Sequence, residues 1–240
     1  MDLGVAGRVA LVTAASKGLG RASAVALAQE GVKVAICARG VEALADAEAE
    51  LAGYTEVLAV VADVTDPVAP ARLVKATVEH FGRLDILVAN AGGPPAGRSL
   101  DVDDADLEAA LNANLLTSVR LVRAAVPHLR QQGWGRICLI TSSSIKQPIP
   151  TLALSNTARA GLWAWAKTAA ADLFDEGITL NIACPGSHAT ERMKAISLPP
   201  GPLGDPADFG RVVAFLCSKP ANFISGSTVL VDGARSLGLA

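Results

Sequence analysis

The chain has 240 residues and a formal net charge of −2, a length suited to one large α/β domain. Hydrophobic residues make up 51% of it and aromatics only 4%, enough apolar surface for a substantial core of closely packed helices and strands. No basic stripe argues for a nucleic-acid surface, and no run approaches the roughly 18 apolar residues of a membrane span.

In chain order, the opening segment reads as a first strand over residues 8–13 and not as a signal peptide. A helical pattern follows at 18–30, a strand at 33–38, a helix at 41–52, a strand at 57–62 and a helix at 67–81. The second half continues with a strand at 85–89, a helix at 103–130, a strand at 136–141 and a helix at 154–174. A strand at 179–183, a helix at 206–217 and a strand at 228–231 complete the series. Most strands are apolar without alternation, which is the pattern of strands covered on both faces. Strict alternation of strand and helix then predicts a Rossmann-type, doubly wound parallel α/β sheet of about seven strands, with residues 1–240 forming a single dinucleotide-binding domain. Cys37, Cys138, Cys184 and Cys217 form no CxxC pair and read as buried, reduced thiols of a cytoplasmic protein.

Between the first strand and the first helix lies Thr13-Ala14-Ala15-Ser16-Lys17-Gly18-Leu19-Gly20. Glycines at such a turn let the backbone approach a pyrophosphate, and the helix N-terminus favours the anion. The stretch resembles the TGxxxGxG signature of the short-chain dehydrogenase/reductase family, with Ala14 replacing the first glycine. Further motifs of that family follow in order. Asp63-Val64 resembles its adenine-contacting pair, Asn90-Ala91-Gly92 its NAG motif, and Asn114 its helix asparagine. Pro185-Gly186 with Thr190 resembles the PGxxxT run beside the nicotinamide. Val231-Asp232-Gly233 resembles the VDGG ending, with Ala234 in place of the last glycine. The resemblance covers nearly the whole chain and implies a nicotinamide cofactor held by these residues, similar to 3-oxoacyl reductases.

An NAD site places a carboxylate at the end of the second strand to hold the ribose 2′-hydroxyl. This chain has Ile36-Cys37-Ala38-Arg39 there. Arg39, aided by Lys17, suits a 2′-phosphate, so NADP(H) is expected over NAD(H).

The family's catalytic serine, tyrosine and lysine correspond to Ser142, Ser155 and Arg159, so the tyrosine and lysine are both replaced. The register is fixed by Arg159-Ala160-Gly161-Leu162, which resembles the family's KAGL run. The chain's one tyrosine, Tyr54, follows the second helix and is expected far from the nicotinamide. Leu154-Ser155-Asn156-Thr157-Ala158-Arg159 is similar to a divergent branch of the family. A serine hydroxyl is a far poorer acid than a phenol, and arginine keeps its proton. Hydride transfer itself belongs to the cofactor. The expected activity is therefore reduction of a carbonyl or oxidation of an alcohol with an atypical proton donor. Ser142 would orient the carbonyl, Arg159 the ribose, Asn114 would support the proton path, and a water on Ser155 would supply the proton. Lys146 and His188 are further candidates. Each has a structural alternative: a solvated lysine, an ordinary loop histidine, and Ser155 as a helix N-cap. The alternative function is a catalytically silent NADP(H)-binding protein.

Only residues 191–204 separate Thr190 from the next helix, and Pro199, Pro200 and Pro202 interrupt them, so a short lid is expected. The helix carrying Trp163 and Trp165 is apolar nearly all round, which predicts a homotetramer, with a dimer as fallback.

Overall fold

The computed structural model describes residues 1–195 and 201–238, apart from the side chains of 194 and 195. Seven strands form one parallel sheet in the order β3-β2-β1-β4-β5-β6-β7. They are β1 (Val9–Val12), β2 (Lys33–Ala38), β3 (Val57–Val61), β4 (Ile86–Ala89), β5 (Gly135–Ile140), β6 (Ile178–Pro185) and β7 (Thr228–Val231). The helices between them are α1 (Gly18–Gln29), α2 (Val41–Ala52), α3 (Ala69–Phe81), α4 (Asp104–Leu111), α5 (Thr117–Gln132), α6 (Ala153–Phe174), α7 (Glu191–Ala195) and α8 (Pro206–Leu216). This is the Rossmann-type arrangement expected from the alternation of strands and helices.

Alternate side chains of each strand feed opposite cores. Val12, Ile36, Val88 and Cys138 pack with Leu27 of α1, Leu44 of α2 and Phe209 of α8. Leu11, Cys37, Leu87 and Leu139 pack with Leu73 of α3, Leu121 of α5 and Leu162 of α6. Double coverage explains why the central strands read as unbroken apolar runs. The edge strands differ. β7 is only half-buried along its length, and Val61 on β3 is exposed. All four cysteines are buried and free.

The helix expected at 103–130 is two helices joined by a π turn at Asn112–Leu116. Polar side chains within and just after that turn bond to nearby backbone instead of to solvent. The Thr117 hydroxyl lies 2.9 Å from the Asn112 carbonyl and 3.2 Å from that of Val64. The Asn112 amide donates to the Thr65 carbonyl at 3.0 Å. Such competing bonds open the helical ladder locally, and apolar periodicity does not register them.

The sheet reverses its winding between β1 and β4. Strand C-termini there border a crevice, the usual ligand site of this topology.

Candidate functional site

Two adjoining cavities lie at the carboxyl ends of the strands, of about 560 Å³ and about 530 Å³. They share Ala14, Lys17, Ala91, Gly92 and Gly93, so they form one elongated cleft across the switch point.

The turn after β1 is held from below. The Thr13 hydroxyl donates to the Asn90 carbonyl at 2.7 Å and accepts from the Asn90 N–H at 2.9 Å. The Asn90 amide donates to the Ala14 carbonyl at 3.3 Å. A Cβ on Gly20 would collide with that same carbonyl and would stand 2.7 Å from Asn90 Nδ2. Thr13 and Gly20 therefore lie beneath the turn and line neither cavity, whereas Gly18 and Leu19 line the first. Ala14 has φ 49 and Ala234 has φ 61, so both alanines at expected glycine positions adopt the left-handed conformation that glycine favours. The N-cap residue of α1, Lys17, makes no side-chain capping bond among the described residues, and the first turn of α1 holds no acidic residue. Its first N–H groups are thus left for an anion, and this turn fits a dinucleotide pyrophosphate.

The second cavity is lined by Ser16, Arg39, Asp63, Val64 and Asn114. Arg39 is 77% exposed, with Nη1 at 3.8 Å from Asp63 Oδ2. The Thr65 N–H and hydroxyl bond to Asp63 Oδ1 at 2.9 and 2.8 Å. The Thr65 N–H, then its hydroxyl and the Arg39 charge, hold the Asp63 carboxyl below the usual range despite some desolvation.

Ser142, Ser155, Arg159, Pro185, Gly186, His188 and Thr190 all line the first cavity. Ser142 follows β5, and its oxygen accepts from the Ser144 N–H at 3.1 Å, capping a single 3₁₀ turn. Ser155 is buried inside the first turn of α6. It is not the N-cap, a position that Leu152 occupies. Arg159 lies one turn further along, and its Nη1 donates to the carbonyls of Ile140 and Thr141, both at 3.0 Å. Its Nε is buried without a partner among the described residues. Burial, reinforced by the nearby Arg192 charge, lowers the Arg159 pKa to about 10.

The other candidates divide. Asn114 sits in the π turn, donates to the Ala110 carbonyl at 3.4 Å, and has a buried oxygen without a partner among the described residues. It lines the second cavity, not the one holding Ser142, Ser155 and Arg159. Lys146 lines neither cavity. Its ammonium lies 4.0 Å from the Trp163 ring centroid, where the ring quadrupole attracts it. His188 is buried edge-on against Phe209, with Nδ1 at 3.2 Å from the Gly186 carbonyl. Tyr54 lines neither cavity and is 51% exposed.

Two arginines that the sequence did not single out also line the first cavity. Arg192 reaches from α7 to donate to the carbonyls of Gly93 at 3.1 Å and Pro94 at 3.0 Å. A Cβ on Gly93 would collide with that guanidinium, so the Gly92-Gly93 doublet makes room for it. Arg235, after β7, donates to the Pro202 carbonyl at 3.3 Å. The proximity of Arg192 to Thr190 in sequence was a usable signal; its reach to residue 93 was not. Pro202 is in a loop, and Pro199 and Pro200 lie outside the described residues.

Residues 13–234 match the family model described as "Enoyl-(Acyl carrier protein) reductase". Versicolorin reductase 1 of Aspergillus parasiticus is 34% identical over 95% of this chain and 95% of its own. The 3-oxoacyl-[acyl-carrier-protein] reductase of a Synechocystis strain is 35% identical over 94% of this chain and 96% of its own. The crystal structure of L-sorbose reductase from Gluconobacter frateurii, complexed with NADPH and L-sorbose, superposes with a TM-score of 0.94 at 29% identity, covering 100% of both chains. The crevice at the winding reversal and the glycine turn beneath it therefore belong to a chain-length likeness, and the chain is a member of the short-chain dehydrogenase/reductase family of NAD(P)-dependent oxidoreductases acting on alcohols and carbonyls.

Proposed function

We propose that the chain reduces a carbonyl, or oxidises the corresponding alcohol, with NADP(H) and a proton donor other than tyrosine. The observation that carries this reading is a single cavity lined at once by Gly18 and Leu19 of the glycine turn and by Ser142, Ser155 and Arg159. When bound, the cofactor supplies or accepts a hydride at the reacting carbon. The uncapped start of α1 would take the pyrophosphate, and Arg39 with Lys17 the 2′-phosphate. Asp63 and Val64 would border the adenine, and Pro185, Gly186 and Thr190 the nicotinamide.

Ser142 would orient the carbonyl oxygen through its hydroxyl proton, because its Ser144 contact uses it only as an acceptor. Ser155 would hold the water that delivers the proton. Arg159 keeps its own proton at neutral pH and acts by charge, favouring negative charge as it develops on that oxygen. Asn114, on the adjoining cavity, is given no part in this relay.

A second reading is a silent cofactor-binding protein, and one feature favours it: Arg159 commits Nη1 to two backbone carbonyls. Oxidation of NADPH followed at its absorbance band, with a panel of ketones and aldehydes, separates the two. Turnover that falls on Ser142→Ala supports the first reading. Tight NADPH binding with no turnover on any panel member supports the second.

We also propose self-association through α6, as a homotetramer or a dimer. Trp163 and Trp165 are only partly buried and Ala164 is exposed. A monomer mass in solution at micromolar concentration contradicts this.

A further inference from the structure

The first cavity carries Lys17, Arg159, Arg192 and Arg235 against one carboxylate among its described lining residues, Glu191. The chain as a whole has a net charge of −2, so the cavity runs against the sign of the molecule. Much of this charge has an evident use. Lys17 also lines the second cavity, on the Arg39 side. Arg159 is turned to the β5 carbonyls, and Arg192 to those of Gly93 and Pro94.

Arg235 is left over. It lines only the first cavity, so it belongs to the end that holds Ser142. Among the described residues the nearest aspartate in sequence, Asp232, makes no ion pair with it and accepts instead from the N–H groups of Ala234 at 3.1 Å and Ser236 at 2.9 Å. Among the described residues, only Nη2 of Arg235 is engaged in a hydrogen bond, by the Pro202 carbonyl. The segment bearing it is also pinned in place. The Leu237 N–H donates to the Gln147 side chain at 2.8 Å, tying the end of the chain to the loop after Ser142. A guanidinium held this way keeps a planar edge of donors for a carboxylate. Part of the remaining wall is apolar, with Pro148, Ile149, Leu152 and Met193, alongside polar groups such as Ser142 and Gln147.

We infer that the substrate is an oxo acid, or the matching hydroxy acid, whose carboxylate pairs with Arg235 while its apolar body lies on the Ile149 and Met193 wall. This rests on the oxidoreductase reading and narrows its substrate class.

The test is binding, so it stands apart from turnover. Calorimetry on protein saturated with NADP⁺ compares levulinate and benzoylpropionate with their methyl esters. At least one acid is expected to bind about tenfold or more tighter than its ester. Arg235→Gln should erase that difference while the Kd for NADPH stays within about twofold. Equal binding of acids and esters overturns the inference, as does a preference that survives Arg235→Gln. A Kd for NADPH that weakens tenfold in Arg235→Gln also overturns it, since the arginine then serves a cofactor phosphate. Reduction of esters as efficiently as acids would remove the anion assignment and leave the oxidoreductase reading intact. Acid-selective binding without any turnover would do the reverse.

Discussion

The guanidinium of Arg159 donates to the carbonyl oxygen of Thr141 at 3.0 Å, joining the first turns of α6 to the end of β5 next to Ser142. On the proposed reading, in which Arg159 stands at the family's lysine position, a cation is retained there, but part of it is spent on the main chain. Ser155, one turn before, brings no acidic proton of its own.

Restoring the pair should restore the chemistry. Ser155→Tyr with Arg159→Lys is expected to raise kcat for carbonyl reduction at least tenfold, toward the roughly 10²–10⁴-fold typical of positioned acid–base catalysis. Steady-state rates of the double variant, with its unfolding midpoint as a control, check this. An unchanged rate in a folded variant means that the cavity is not built around that chemistry.

Ala14 sits at φ 49. The left-handed conformation costs an alanine about 1–2 kcal/mol, and a glycine returns part of that gain as chain entropy. Ala14→Gly is expected to stabilise the fold by about 0.5–1 kcal/mol, or about 1–4 °C in Tm. Ala234→Gly, at φ 61, should act in the same direction. Thermal unfolding of both variants reads the effect.

Arg192 spans the cleft from α7 to Gly93 and Pro94, between the two ends that a dinucleotide would occupy. Arg192→Ala removes both bonds. Release of NADPH is expected to speed up about tenfold, from the loss of two charge-assisted bonds partly offset by solvent. Stopped-flow displacement of NADPH fluorescence measures it, and an unchanged release rate shows that the bridge does not close over the cofactor.

The sheet was legible because its central strands are covered on both faces, which leaves uninterrupted runs such as Ile86–Ala89 for the eye to find. The glycine turn was legible because it lies in one stretch between the first strand and the first helix, where Gly20 must clear Ala14 and Asn90; that Ala14 is left-handed emerged only from the structure. The π turn at Asn112–Leu116 was not, since it arises from side chains bonding to backbone that includes Val64 and Thr65, far off in sequence. The place of Lys146 was hidden for a similar reason, because its partner Trp163 comes from α6. Arg235 was visible as a cation and nothing more, and Arg192 only as a cation near Thr190. Their placement depends on contacts with residues 93–94 and 202, which no spacing rule encodes.

The account depends on NADP(H) entering the cleft above the glycine turn, with Arg39 meeting the 2′-phosphate. Fluorescence titration with NADPH and NADH, on the wild type and on Arg39→Ala, tests this directly. The expected result is NADPH bound more tightly than NADH in the wild type, with about tenfold weaker NADPH binding and little change for NADH in the variant. Tighter binding of NADH, or no saturable binding of either dinucleotide up to millimolar concentration, would contradict it.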